Sequence, residues 1–317
     1  MKKILLATTA LVGFAGVAAA EVKLSGYAEI GIYDPDVGET QFWNDIDVKF
    51  SLSGATDSGL EFGATIDLDE LNGDSIPPTG GGNAGPNEND SSVWVSGSFG
   101  KVTLGDTDGA LDWAAAELSI GTAIADDHTS QAGYYSFTGL DGAHDGQVMR
   151  YEYSFGDFGV AVSAEIDDSG VDDPTLGIGA KWAGEFGGTS VYAGLGYQAG
   201  ELGGVDIDAT ALSVGLNVNG FDAKLGYATG NIGYDTTDWD WVGLTLGYSL
   251  DAWKAQIIWG EWSGNSVSPD ADGFGVMVNY DMGGGAVAMF GYGDGGSVSS
   301  PYAASGSHWS AGLGLSF

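Results

Sequence analysis

The chain has 317 residues, and its 44 acidic residues against 9 basic residues give a formal charge of −35. This charge excludes nucleic acid as a partner, because phosphate contacts need clustered lysine and arginine. The absence of cysteine excludes a disulfide framework and thiolate metal sites.

Residues 1–20 have the features of a secretory signal peptide. Two lysines precede an apolar stretch, and three alanines at 18–20 provide a small-residue cleavage site before Glu21. We therefore expect the mature chain to be residues 21–317, with seven bases against 44 acids and a charge of −37. No later apolar run approaches the ~20 residues of a membrane-spanning helix.

The mature chain alternates apolar and polar residues. Within 60–69, Leu60 and Phe62 flank Glu61, and a helical period is not sustained except around 111–118. Such alternation predicts strands with one apolar face and one polar face. Sixteen such strands follow in chain order: 21–33, 42–54, 59–70, 91–99, 101–106, 147–155, 158–167, 175–183, 189–199, 206–218, 221–230, 239–249, 253–261, 272–281, 286–293 and 306–317.

The connectors between these strands alternate between short turns and longer polar loops. Asn219-Gly220 is one of the short turns, and the segment 106–145 is the longest of the loops. An even strand number with loops of unequal length at the two ends is typical of outer-membrane barrels, which have short periplasmic turns and long outer loops.

A soluble β-sandwich would show the same alternation, but the position of the charges favours a membrane barrel. All seven bases of the mature chain lie on the polar phase of their strands, and a base facing lipid would cost roughly 2–4 kcal/mol at mid-depth. Aromatic residues such as Phe155, Phe158 and Trp253 stand at the ends of strands, on the apolar phase, as in the aromatic girdles of membrane barrels. We predict an all-β fold, a transmembrane antiparallel β-barrel of 16 strands around an aqueous channel.

The whole mature chain resembles the Gram-negative general porin family, in particular the alphaproteobacterial, Rhodobacter-type porins, and three features carry the resemblance. Residues 50–64 are similar to a strand, turn and strand of those porins, and residues 93–110 to the strand pair before their third loop. The terminal Phe317 is similar to the assembly signal of outer-membrane barrels.

The resemblance implies a homotrimer in the outer membrane of a Gram-negative bacterium. Its implied partners are outer-membrane lipid and lipopolysaccharide, the barrel assembly machinery and small hydrophilic solutes. It also implies that the third loop folds into the lumen and forms the constriction. The Pro-Glu-Phe-Gly motif of the enterobacterial third loop is absent from this one, so eyelet positions cannot be transferred from that branch.

The third loop is acidic and contains no lysine or arginine. The resemblance places it in the pore, and acidic rings favour cations. We therefore predict a cation-preferring channel for passive diffusion, with no enzymatic activity and no cofactor. An alternative is that these acids only form a solvated face. The predicted constriction acids are Asp106, Asp108, Asp112, Glu117, Asp126 and Asp127, and the opposing wall bases are Lys23, Lys49 and Arg150.

A structural calcium ion is a second hypothesis for this loop. Counted from Asp106, position 5 of the calcium loop is Ala110 instead of an oxygen ligand, and the glycine falls at position 4, so the EF-hand pattern fails. The residues with oxygen ligands at positions 1, 3, 7 and 12 are Asp106, Asp108, Asp112 and Glu117.

Other functions are less favoured. In a solute-specific channel, several tryptophans could stack sugars, or they could serve as girdle residues, trimer contacts or loop packing. They are Trp94, Trp113, Trp239, Trp241 and Trp262. An outer-membrane barrel enzyme would need a catalytic constellation, and the hydrolase motif G-x-S-x-G is absent. A structural barrel with a blocked lumen is a further alternative.

Overall fold

The computed structural model describes the chain in seven stretches, and the signal peptide predicted for residues 1–20 lies almost wholly outside them. The stretches are residues 20–35, 38–68, 90–125, 133–231, 238–264, 271–295 and 306–317. They contain one short helix, α1, which is Ala110–Ala114. The strands are β1 Glu21–Asp34, β2 Gln41–Ala55, β3 Glu61–Leu68, β4 Asp90–Gly97, β5 Gly100–Gly105, β6 Val148–Phe155, β7 Phe158–Glu165, β8 Thr175–Phe186, β9 Thr189–Leu202, β10 Val205–Val218, β11 Phe221–Asn231, β12 Asp238–Leu250, β13 Trp253–Ser263, β14 Ala271–Gly283, β15 Ala286–Gly295 and β16 Gly306–Ser316.

The sixteen strands form one closed antiparallel barrel. Each strand is hydrogen-bonded to the next along the chain, and β1 closes the ring on β16, with Tyr27 opposite Ser316 and Asp34 opposite Trp309. Closure leaves no sheet edge unpaired, as strands in hydrocarbon require. The predicted 16-stranded antiparallel barrel is confirmed. Within the described stretches, no helix has the length and apolar character to cross a membrane.

The apolar phase of the strands faces outward. Val22 on β1 is 64% exposed, whereas Glu29, on the opposite phase, is buried inside the barrel. On β6, the exposed Met149 and Tyr151 flank Arg150, which is only 7% exposed. The outer face therefore suits lipid, and the polar phase lines the interior.

The short turns lie at one end of the barrel, with aromatic residues beside them on the outer face. Asn219 and Gly220 have φ values of 50° and 85°, as a tight hairpin turn between twisted strands requires. Next to another turn, the rings of Phe155 and Phe158 stack with centroids 5.7 Å apart. This is the arrangement of an aromatic girdle at a membrane surface.

Candidate pore constriction

The third loop joins β5 to β6 over residues 106–147 and lies inside the barrel. Its described parts are residues 106–125 and 133–147. Near its start, α1 packs on β7, β8, β9 and β10, and further along the loop Ile124 lies against Gly312 of β16. The loop therefore follows the inner wall from β7 to β16, which confirms that it folds into the lumen.

Inward-facing glycines on β8 and β9 make room for α1. A Cβ atom at Gly179 would overlap the carbonyl oxygen of Ala110, and one at Gly194 would overlap the carbonyl oxygen of Ala114. Neither glycine has a positive φ. Their role is therefore to let two backbones approach closely rather than to adopt a special conformation.

The loop and the wall share a hydrophobic cluster inside the lumen, here called the lumen core. Trp241 of β12 is fully buried in it, with its ring 5.4 Å from that of Phe137 and 5.8 Å from that of Tyr135. Trp239 and Trp262 pack against this cluster, so these three tryptophans pack the loop. The buried members are Leu111, Ala115, Leu118, Tyr135, Phe137, Leu140, Ile207, Ala209, Ala211, Ala228 and Trp241.

Carboxylates of the barrel wall accept hydrogen bonds from main-chain N–H groups of the loop. Glu29 of β1 accepts the N–H of Ala125 at 3.1 Å. Glu165 of β7 is almost fully buried, and it accepts at 2.8 to 3.0 Å from the N–H groups of Gly142, His144 and Gly146. Buried main-chain donors need such partners, so the middle of the loop and its last part are held to the barrel.

Neutral wall side chains donate to loop carbonyl oxygens. Asn279 of β14 donates from Nδ2 to the oxygen of Thr122 at 2.6 Å, and Ser310 of β16 donates from Oγ to the oxygen of Ile124 at 2.5 Å. No motif in the sequence pointed to these two residues. The only available signal was that polar side chains occupy the inward phase of these strands.

Burial changes the protonation of two loop carboxyls. Desolvation, together with repulsion from Asp108, Glu117 and Asp141, raises the pKa of Asp112 to about 8, although Arg150 acts in the opposite direction. Desolvation also raises the pKa of Asp141 to about 6. Asp112 is therefore mostly protonated at neutral pH and adds little negative charge to the lumen.

The predicted constriction acids occupy different environments. Asp106 and Asp108 are exposed at the start of the loop, and Glu117 is half-buried beyond α1. Asp126 and Asp127 lie outside the described residues. Among the described residues, no three histidine or acidic side chains form a group that could hold a metal, so the structure does not gather the predicted calcium ligands, and the calcium ion stays a prediction.

The three predicted wall bases also differ in their surroundings. Arg150 contacts the loop, with Nη1 3.9 Å from Oδ2 of Asp108 and bonded to the carbonyl oxygen of the same residue. Lys49 forms an ion pair with Asp67 of the neighbouring strand, and Lys23 is exposed on β1. Of these three bases, only Arg150 is brought against one of the predicted acids that the structure describes.

Phe317, the predicted assembly signal, directly follows β16 and lies on the outer side of the barrel. Its N–H donates to the carbonyl oxygen of Gly26 at 2.9 Å, and its side chain is 79% exposed. Its role in assembly stays a prediction.

Comparison with known proteins gives consistent matches. The model of the family described as "Gram-negative porin" matches residues 7–298. A porin from Rhodobacter capsulatus is 36% identical over 186 residues, which span 56% of this chain and 56% of that relative. The chain thus aligns with only about half the length of this relative.

Two solved structures share the fold across nearly the whole chain. A porin refined at 1.8 Å resolution matches with a TM-score of 0.68 and 24% identity. An anion-selective porin from Comamonas acidovorans matches with a TM-score of 0.64 and 15% identity. Each match covers 94% of this chain and 100% of the other. At these identities the likeness concerns the fold alone.

Proposed function

Because the chain belongs to the Gram-negative porin family, whose members are non-enzymatic channels of the outer membrane, we propose that it forms a water-filled pore for passive diffusion of small hydrophilic solutes and ions. The observation that carries this proposal is the one-sided course of the third loop. Beyond Asp106, the contacts of its described residues fall on β1 and on strands from β6 to β16, while the side chain of Lys49 on β2 remains 49% exposed. Within the described part of the chain, the lumen beside Lys49 on β2 is thereby left open to water.

The proposed preference for cations rests on how the basic side chains that face the open lumen are paired with carboxylates. We call the part of the lumen beside β2 the open side. Lys49 is paired with Asp67 on the wall itself. The Nε of Arg150 lies 3.0 Å from a carboxylate oxygen of Glu152. These two bases therefore present little unmatched positive charge, and the exposed carboxylate of Asp106 adds negative charge at the loop.

We also propose the homotrimer that the sequence resemblance implies. The wall is low on one side, because β5 has 6 residues and β6 and β7 have 8 each, whereas a membrane strand needs ~9–11. The outer face there is apolar, with Leu104 and Met149 exposed. A neighbouring subunit would cover this low wall. Contact with lipopolysaccharide and with the assembly machinery stays a prediction.

Planar-bilayer recording of the purified protein tests these proposals. We expect large ohmic conductance steps in groups of three, and a reversal potential in a KCl gradient with the sign of cation preference. The double substitution Asp106→Asn and Asp108→Asn should reduce that preference without abolishing conductance. Absence of conductance would contradict the channel, steps that only occur singly would contradict the trimer, and anion preference would contradict the assigned selectivity.

A further inference from the structure

Two inward lysines of the wall point at main-chain carbonyl oxygens of the third loop. Lys181 of β8 donates from Nζ to the oxygen of Trp113 at 3.0 Å, and its Nζ also lies 3.6 Å from the centroid of the Trp113 ring. Lys224 of β11 donates from Nζ to the oxygen of Glu117 at 3.0 Å. Arg150 of β6 makes the same kind of contact earlier in the loop.

Carboxylates attract both lysines from a distance, Glu152 and Asp108 for Lys181 and Asp222 and Glu117 for Lys224, but among the described residues neither lysine forms an ion pair. In the described part of the chain, the ion pairs involve Lys49 and Arg150, although the protein has 44 acids against 9 bases. We infer that Lys181 and Lys224 are positioning residues, which clamp the backbone of the third loop to the wall and so keep it out of the open side of the pore.

The chemistry of the loop backbone explains why the wall needs charged donors at these places. The N–H groups of the barrel strands are used in the strand ladders, so they cannot serve the loop. A buried carbonyl group without a donor is costly, and an ammonium donor forms a stronger hydrogen bond than a neutral one. The bond at Trp113 also falls in the last turn of α1, where a lysine can serve the unpaired carbonyls of a helix.

Lys101 of β5 provides a matched control. It also lies on the inward phase, but its Nζ lies 5.5 Å from the centroid of the Trp94 ring on the neighbouring strand, on the side that the loop leaves open. Removing Lys101 therefore takes the same charge from the lumen without removing a bond to the loop.

This inference rests on the proposed channel function, and single-channel recording with neutral-sugar flux tests it. Loss of one charged hydrogen bond should shift the equilibrium between docked and undocked loop by about tenfold or more. We expect Lys181→Met and Lys224→Met to add brief closures and to lower the flux of a neutral disaccharide into liposomes. Lys101→Met should shift the reversal potential toward cations and leave the sugar flux unchanged. Lys181→Arg and Lys224→Arg, which keep the charged donor, should conduct without the added closures.

If a variant assembles poorly in membranes, the release of its third loop can be measured in detergent by the rate of thiol labelling. Ala123 of the loop is fully buried, and the chain has no cysteine, so Ala123→Cys reports loop release in detergent. Labelling should be faster with Lys224→Met than with Lys101→Met. Equal labelling and equal sugar flux in the clamp and control variants would overturn the inference, whereas a wild-type protein that does not conduct would overturn the channel itself.

Discussion

Replacing Gly194 with alanine is expected to displace α1 from the barrel wall. The added Cβ would overlap the carbonyl oxygen of Ala114, and a backbone atom cannot move aside by changing rotamer. Gly194 has no positive φ, so alanine suits the strand itself and the effect is purely steric. Overpacking of this kind costs about 1–3 kcal/mol. We expect frequent closures in single-channel records and a lower flux of neutral sugars, because α1 is pushed into the open lumen.

Gly26→Ala is the control for this substitution. Gly26 is also a strand glycine without positive φ, but its added Cβ would meet nothing closer than 3.4 Å, at the carbonyl oxygen of Asp47. The control should conduct like the wild type. If the Gly194→Ala channel closed no more often than the Gly26→Ala channel, α1 would not lie against β9 as described.

Replacing Trp241 with alanine is expected to release the returning half of the third loop. Trp241 is fully buried in the lumen core and contacts Tyr135 and Phe137, and its Nε1–H donates to the carbonyl oxygen of Gly133 at 3.0 Å. Truncation of a buried tryptophan costs about 3–5 kcal/mol. Because this cluster joins the loop to the wall, we expect the loss to fall on loop docking, and protease should cut within 106–147 while the barrel stays intact.

Trp259→Ala is the matched control, since Trp259 lies on the outer face of β13 and is 38% exposed. Its substitution removes a ring of the same size without touching the loop. Protease should leave the third loop of this variant uncut. Equal cutting of both variants, or of neither, would show that the lumen core does not hold the loop.

The barrel could be predicted from sequence because its physical cause is local and repeated. A strand between lipid and water must alternate apolar and polar side chains, and this pattern placed all sixteen strands. The position of the bases was a second local signal, since Arg150 on the polar phase had to face inward. Both signals are read along one strand at a time.

The path of the third loop could not be predicted because its contacts are distant in sequence. Gly194 and Ala114 meet although they belong to separate parts of the chain. Glycine on the inward phase of β8 and β9, as at Gly179, was the available signal, but glycine is frequent throughout this chain. The roles of Lys181 and Lys224 depend on that path and could not be predicted either.

The acids of the candidate constriction show the same limit. Asp112 was predicted to carry charge at the constriction, but burial raises its pKa to about 8. Sequence gives the number of carboxylates in the loop. It does not give their desolvation, which depends on how the loop packs.

Disulfide cross-linking measures most directly whether the third loop lies against the wall on the β8 side. A Cβ at Gly177 of β8 would lie 3.4 Å from the Cβ of Ala110, near the ~3.5–4.5 Å of a disulfide, and the chain has no other cysteine. We predict that Ala110→Cys with Gly177→Cys forms a cross-link on mild oxidation, and that Ala110→Cys with Ser51→Cys, on β2 at the open side, does not. A cross-link to position 51 and none to position 177 would contradict the one-sided pore.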